Sequence, residues 1–133
     1  MNFIQVIQVL CDYCNLAGKH CYRNSDPQCT QFIKTDQLLK WLSKLKESGI
    51  GVVELTGGEP TAHPDFTKIL SKCCEFFSLT AIISNGTLWT KEIEDIVESN
   101  TDKLFIQIDL DGSSPKNHDW LRDVGCLKRQ WLP

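Results

Sequence analysis

The sequence predicts an α/β fold built from parallel strand and helix repeats. Four short segments, residues 3–10, 52–55, 79–84 and 104–110, have the aliphatic and β-branched composition of buried strands. Each of the first three segments is followed by a polar loop and then by apolar residues at helical spacing. Strands and helices that alternate in this way form right-handed βαβ units on a parallel sheet, which is either doubly wound or barrel-like.

Three helices are expected to connect the four strands. Thr35 is the expected N-cap of the first helix, which ends at Gly49, and Thr90 is the expected N-cap of the third. Pro64 is the expected first residue of the second helix, a position where proline is well tolerated. The residues after the fourth strand can begin a further helix. The side chains that should face the core are Leu38, Trp41, Leu42 and Leu45 in the first helix, Phe66, Ile69, Leu70, Cys73 and Phe77 in the second, and Ile93, Ile96 and Val97 in the third.

Composition limits the classes of partner. With 133 residues, of which 41% are hydrophobic and 23% charged, the chain has the composition of one globular domain. A net charge of −3 offers no basic patch for nucleic acid, and no apolar run is long enough to span a bilayer, so we expect neither partner. The first residues lack the features of a secretory signal, which favours a cytoplasmic location. There, the seven cysteines are expected to be ligands, core residues or free thiols rather than disulfides.

Polar loops follow the ends of all four predicted strands, at residues 11–34, 56–63, 84–89 and 109–118. The carboxyl ends of parallel strands lie at the same edge of a sheet, and parallel α/β folds build their sites there. The unusual residues of the sequence are therefore expected to meet at one edge. His63 and His118 also fall in these loops, where we expect them to be solvated and without a catalytic role.

The first of these loops is rich in cysteine. Cys11, Cys14, Cys21 and Cys29 all lie within it, together with His20. Thiolates clustered in this way can hold zinc or an iron-sulfur cluster, although they can also be free thiols. Cys73 and Cys74 differ, because they fall on or beside the apolar face of the second predicted helix, where a buried cysteine behaves as a small hydrophobic residue.

Residues 14–22, with the sequence CNLAGKHCY, resemble the cluster-binding loop of the radical SAM superfamily, in particular its peptide- and protein-modifying, SPASM-type branch. The family pattern is C-x3-C-x2-C followed by an aromatic residue, and Gly18 stands where the second cysteine is expected. The resemblance implies that Cys14 and Cys21 are ligands of a 4Fe-4S cluster. Cys11 or Cys29, elsewhere in the same loop, is a candidate for the third ligand. It also implies that the cluster and S-adenosylmethionine generate a 5′-deoxyadenosyl radical that modifies a peptide or protein substrate.

Three further segments resemble the same family in the same order. They are the TGGEP sequence at 56–60, the ISNGT sequence at 83–87, and the fourth-strand segment from 108 to 122. In relatives, a small polar residue at the position of Asp109, usually serine, contacts the ribose of S-adenosylmethionine, and an arginine matching Arg122 contacts its carboxylate. The resemblance thus assigns contacts with S-adenosylmethionine to Tyr22, Gly57, Gly58, Glu59, Ser84, Asn85, Asp109 and Arg122.

The resemblance implies a partial, incomplete TIM-like barrel of about four βα units. Residues 1–123 are expected to form a truncated radical SAM core, and residues 124–133 a tail without a match to the family. The free edge of such a sheet favours self-association. Two alternatives share the same loops: a non-catalytic remnant or binding module without a stable cluster, and a small zinc-binding protein that uses Cys11, Cys14, Cys21 and Cys29.

Overall fold

The computed structural model of the chain describes residues 5–131. Its sheet contains the strands β1 (Gln5–Val9), β2 (Val52–Thr56), β3 (Leu79–Ser84) and β4 (Leu104–Ile108). All neighbouring strands are parallel and follow one another in chain order. The four predicted strands and their parallel arrangement are therefore confirmed, although the first ends at Val9 and the fourth at Ile108, earlier than predicted. Residues 3 and 4 of the first predicted strand lie outside the described residues.

Helices connect and follow the strands. They are α1 (Thr35–Glu47), α2 (Phe66–Phe76), α3 (Lys91–Glu98), α4 (Pro115–Arg122) and α5 (Cys126–Trp131), and a short 3-10 turn spans Pro60–Ala62. The helix α5 was not predicted, because its six residues are too few to show a clear apolar period. None of the helices within residues 5–131 has the length and apolar character needed to cross a membrane.

The hydrophobic core lies between one face of the sheet and the helices α1, α2 and α3. It is formed by alternate strand residues such as Val53, Leu55 and Ile82, all fully buried, and by the apolar sides of the helices. Cys73 and Cys74 are part of it, as predicted. The other core residues are Leu10, Leu38, Leu42, Leu45, Phe66, Ile69, Leu70, Phe77 and Ile93.

The opposite face of the sheet is largely uncovered. Strand register places Ile7, Glu54, Ala81 and Phe105 in one row across this face. At the two outer strands, Ile7 is 62% exposed and Phe105 is 55% exposed. A doubly wound sheet carries helices on both faces, whereas a barrel carries them on the outside only. Coverage of one face and the sequential strand order therefore indicate part of a barrel, which the spacing of elements alone left undecided.

Two predicted helix starts are wrong, and one is correct. The N-cap of α1 is Lys34, and the hydroxyl of Thr35 instead donates to Asp65 Oδ2 at 2.5 Å. Pro64 lies in the turn before α2, which begins at Phe66 because the chain first forms the short 3-10 turn. Thr90 does cap α3, since its hydroxyl oxygen accepts from the Ile93 amide at 3.3 Å.

Candidate functional site

The loops after all four strands meet at the carboxyl edge of the sheet, as the sequence predicted. They surround a cavity that opens on this edge. Its walls include residues from the cysteine-rich loop and from the loops after β2, β3 and β4. The residues that line it are Cys14, Leu16, Gly18, His20, Cys21, Tyr22, Arg23, Ser25, Thr56, Gly57, Gly58, Glu59, Ile83, Ser84, Asn85, Asp109 and Arg122.

The glycines after β2 pack against the backbone of the cysteine-rich loop. The Gly58 amide donates to the Cys11 carbonyl at 2.9 Å, and the Glu59 amide donates to the Tyr13 carbonyl at 2.7 Å. A Cβ atom added at Gly58 would lie 2.1 Å from the Tyr13 carbonyl oxygen, and one at Gly57 would lie 2.7 Å from the Cys11 carbonyl oxygen. These glycines are therefore required for close contact between two loops of the protein, in addition to any contact with a ligand.

Glu59 joins the loop after β2 to the loop after β3. Its carboxylate is fully buried and accepts hydrogen bonds from the Ser84 hydroxyl and the Asn85 amide, both at 2.7 Å. The amide and hydroxyl of Thr61 donate to the same carboxylate. Burial raises the pKa of Glu59, although all of these donors act in the opposite direction. Glu59 thus fixes the floor of the cavity.

Cys14 is held by two neighbouring N–H groups. Its Sγ atom lies 3.4 Å from the Leu16 amide nitrogen and 3.7 Å from Asn85 Nδ2. Asn85 Nδ2 also donates to Asn15 Oδ1 at 3.0 Å, which ties the cysteine-rich loop to the loop after β3. Burial raises the pKa of the Cys14 thiol, and the two N–H donors counteract that effect by stabilising the thiolate.

The other cysteines of the loop are placed differently. Cys21 is partly buried and lines the cavity with Cys14. Cys11 lies behind the cavity wall, where its thiol is directed to the Glu59 carbonyl at 3.3 Å and burial raises its pKa. Cys29 is absent from the lining, and its Sγ atom lies 3.9 Å from the Asn24 carbonyl oxygen. The cavity is thus lined by two thiols of this loop.

Gly18 lies in the cavity wall together with Cys14 and Cys21, at the position where the family pattern has its remaining cysteine. A Cβ atom added to Gly18 would meet no neighbouring atom closer than the Leu121 carbonyl oxygen, at 3.8 Å. The segment is also anchored to α4, because the Lys19 amide donates to that same carbonyl at 2.8 Å. The backbone at position 18 can therefore accept a Cβ atom without rearrangement.

No group of three His, Cys, Asp or Glu side chains in residues 5–131 is arranged to hold a metal ion. The zinc-site interpretation needs at least three of the four loop cysteines close together, and this geometry does not support it. The same donor set has one thiol fewer at the cavity than a three-thiolate iron-sulfur site requires. The residues present therefore do not fit a 4Fe-4S cluster bound by three thiolates, which is the arrangement usual in the family.

Charged side chains line the cavity on the side of β4. Arg122 Nε donates to Asp111 Oδ2, and its Nη2 atom lies 3.5 Å from Asp109 Oδ2. The Arg122 guanidinium lowers the pKa of Asp111, and His20 lies 3.6 Å from the same carboxylate. Arg122 is only 14% exposed, whereas Asp109 is 46% exposed and lines the cavity. This arrangement supplies a fixed cation and an accessible carboxylate side by side.

The two loop histidines are buried, so the prediction that they are solvated is wrong. His63 is 5% exposed, with Nε2 at 2.8 Å from the Ile33 carbonyl and Nδ1 accepting from the Asp65 amide. His118 is fully buried, and its Nδ1 accepts from the Asp111 amide at 3.1 Å. Both rings hold loop backbone in place, which is a local role that a single histidine in a sequence does not reveal.

Sequence reasoning missed residues from two parts of the chain. Leu16 falls inside the recognised cysteine motif but was assigned no role, and Arg23 and Ser25 lie just after the motif; all three line the cavity. Gln130, from helix α5, donates through Nε2 to the Asn85 carbonyl at 2.5 Å and lies 3.4 Å from the Asp109 carbonyl. The contact of α5 with the site follows from tertiary packing, for which the sequence carries no local signal.

The sequence model of the Radical SAM superfamily matches residues 9–132 of the chain. The chain belongs to the radical SAM superfamily. The family resemblance is therefore confirmed, and the expected 4Fe-4S cluster and S-adenosylmethionine are the cofactors that members of this family bind. The functional roles assigned to individual site residues remain predictions.

Curated relatives of this radical SAM chain include a bacteriocin biosynthesis protein and a maturase. The antilisterial bacteriocin subtilosin biosynthesis protein AlbA of Bacillus subtilis is 34% identical over 82% of the chain and 24% of AlbA. The mycofactocin maturase MftC of Mycobacterium tuberculosis is 30% identical over 86% of the chain and 29% of MftC. The chain thus spans about a quarter of the length of these relatives.

Solved structures confirm the fold. Streptococcus suis SuiB bound to S-adenosylmethionine superposes with a TM-score of 0.82 and 23% identity, over 95% of this chain and 29% of SuiB. SuiB bound to the precursor peptide SuiA gives a TM-score of 0.78 and 22% identity, over 89% of this chain and 26% of SuiB. The partial barrel architecture predicted from the sequence is therefore shown.

Proposed function

We propose that this chain forms the S-adenosylmethionine-binding part of a radical SAM protein that modifies a peptide. The observation that carries the proposal is the meeting of four motif-bearing loops around one cavity. Each loop comes from a different strand end, and each contributes at least one polar residue to the wall. Such convergence at the carboxyl edge of a parallel sheet is how this class of fold builds ligand sites.

The chemistry of the cavity fits S-adenosylmethionine. The Arg122 guanidinium has N–H donors beyond those used by Asp111 and Asp109, and these suit the ligand carboxylate. The Asp109 carboxylate is accessible and can accept from ribose hydroxyls. Backbone carbonyls of Gly57 and Gly58 offer acceptors for the ligand ammonium group. The exposed ring of Tyr22 stands at the cavity margin, where it can cover the ligand.

The cluster site is one ligand short. We propose that Cys14 and Cys21 are its two thiolate ligands, and that Gly18 leaves the third position without a donor. Cys11 is a poor substitute because its thiol points to the Glu59 carbonyl behind the wall. In the chain as it stands, the arrangement supports a module that binds S-adenosylmethionine without a stable cluster, which is the second interpretation left open by the sequence.

The peptide substrate is proposed from the relatives. AlbA is named for bacteriocin biosynthesis, SkfB is a sporulation killing factor maturation protein, and SuiB has been solved with the precursor peptide SuiA. We also propose that the chain self-associates through the free edge of β4 and the exposed row containing Ile7 and Phe105.

A cytoplasmic location is supported by the seven cysteines, all of which are free thiols in the part of the chain described.

Titration calorimetry with S-adenosylmethionine tests the proposed function. The parent chain should bind the ligand, and Arg122→Ala should weaken binding by roughly ten-fold to a hundred-fold, because it removes a charged hydrogen bond to the carboxylate. Arg129→Ala is the matched control, since the Arg129 side chain donates to the Val124 and Gly125 carbonyls just before α5 and is not part of the cavity lining. The absence of binding by a folded parent chain, or equal losses in both variants, would reject the proposal.

A further inference from the structure

The turn that follows Cys21 brings Ser25 to the cavity. Asn24 has a φ of 52°, and it is the one non-glycine residue with positive φ among residues 5–131. Asparagine tolerates this left-handed conformation better than most residues, and the Asn24 amide is held by the Cys21 carbonyl at 3.2 Å. The reversal of the chain places Ser25 in the cavity wall with only 4% of its surface exposed.

The Ser25 hydroxyl has no hydrogen-bond partner in the described part of the chain. Buried polar atoms are almost always hydrogen-bonded, and an unpartnered one destabilises a folded protein. Three other side-chain atoms share this condition, namely Thr80 Oγ1, His118 Nε2 and Gln130 Oε1. Of these four residues, Ser25 is the one that lines the cavity. An unsatisfied hydroxyl in the wall of a ligand site indicates a contact that forms when the ligand binds.

We propose that Ser25 is a further ligand-binding residue, whose hydroxyl forms a hydrogen bond with bound S-adenosylmethionine. This inference rests on the proposed function. A hydroxyl can both donate and accept, so it can pair with a carboxylate, an ammonium or a ribose hydroxyl of the ligand. Ser25 belongs to the cysteine-rich loop, four residues after Cys21, whereas Asp109 and Arg122 come from the loop and helix after β4, so the contact would come from a different loop of the cavity wall.

The test compares Ser25→Ala with Thr80→Val. Thr80 is a fully buried residue of β3 outside the cavity, and its hydroxyl is also unpartnered in the described structure, which makes it a matched control. Binding of S-adenosylmethionine is measured by calorimetry, and the stability of each free chain by urea unfolding. Ser25→Ala should weaken binding about three-fold to ten-fold, as expected for loss of one hydrogen bond, while Thr80→Val binds like the parent. Neither variant should destabilise the free chain.

Two results would overturn the role of Ser25 alone. One is a parent chain that binds the ligand and a Ser25→Ala variant that binds it equally well. The other is a Ser25→Ala variant whose free chain unfolds at lower urea than both the parent and Thr80→Val, because the hydroxyl would then have a structural partner. A folded parent chain that does not bind S-adenosylmethionine would overturn both this inference and the proposed function.

Discussion

A single buried carboxylate connects the loops that form the floor of the cavity. Glu59 accepts from two donors of its own turn and from two donors at the end of β3. Glutamine has the same shape but only one acceptor oxygen, and its amide group adds donors where donors already converge. The two oxygens of the Glu59 carboxyl group therefore hold Ser84 and Asn85 in position.

Replacement of Glu59 by glutamine should lower the free energy of unfolding by about 1–3 kcal/mol, because at least one buried donor loses its acceptor. Since burial raises the pKa of Glu59, its contribution is greatest in acid and declines as pH rises through that raised pKa. The stability difference between parent and variant should therefore shrink with increasing pH. Urea unfolding of the parent and of Glu59→Gln at a series of pH values measures this stability difference, with the exposed Glu98→Gln as control. A difference that grows with pH would contradict the account.

The motif glycines show what sequence can and cannot reveal about single residues. Gly57, Gly58 and Glu59 were expected at the site from the resemblance, and all three line the cavity. Their contacts with the backbone of Cys11 and Tyr13 could not be predicted, because the path of a long loop depends on tertiary packing. Ser25 was missed for the same reason, since the left-handed turn at Asn24 that places it has no unique sequence signal.

At the scale of elements, the cavity depends on two loops that share backbone hydrogen bonds. The loop after β2 and the cysteine-rich loop are joined through Gly58 and Glu59. A short antiparallel bridge between Cys11 and Phe32 closes the base of the cysteine-rich loop. Because the cysteine-rich loop between Cys11 and Phe32 is mostly irregular, its position is determined by this bridge and by its hydrogen bonds with Gly58 and Glu59. Any side chain that separates the two loops should therefore displace Cys14.

Gly58→Ala should destabilise the chain by about 1–3 kcal/mol, as overpacking does when backbone must move. The added Cβ would lie 2.1 Å from the Tyr13 carbonyl oxygen. Gly18→Ala is the matched control, because its Cβ has 3.8 Å of clearance and should change stability by less than about 0.5 kcal/mol. Urea unfolding measures both variants. Equal stability of the two variants would contradict the proposed contact between the loops.

The regular elements were more predictable than their ends. β3 was expected at residues 79–84 and has those bounds, because its apolar run is short and flanked by turn residues. The start of α2 was wrong because Glu59 caps a short 3-10 turn ahead of it, and Pro64 belongs to the connection that follows. Helix α5 was missed, although its Gln130 reaches the Asn85 carbonyl. Buried periodic segments are specified locally, whereas short helices depend on the surface they contact.

At the scale of the whole molecule, the sheet has one covered face and one exposed face. The helices α1 to α3 cover the first, whereas Ile7 and Phe105 remain largely exposed on the second. The sequence predicted the parallel strands and the edge that carries the site, but strand and helix spacing could not distinguish a barrel from a doubly wound sheet. The distinction depends on which side each connection takes, and the structure places these three helices on the same side.

The central claim is that the cavity belongs to a radical SAM site that lacks one cluster ligand at Gly18. Anaerobic reconstitution followed by iron and sulfide analysis tests it in the parent, Gly18→Cys and Gly18→Ala chains. Position 18 has room for a side chain, so Gly18→Cys should fold and hold about four irons and four sulfides per chain. The parent and Gly18→Ala should hold much less. A parent chain that already carries a full cluster, or a folded Gly18→Cys chain that gains no iron, would contradict the claim.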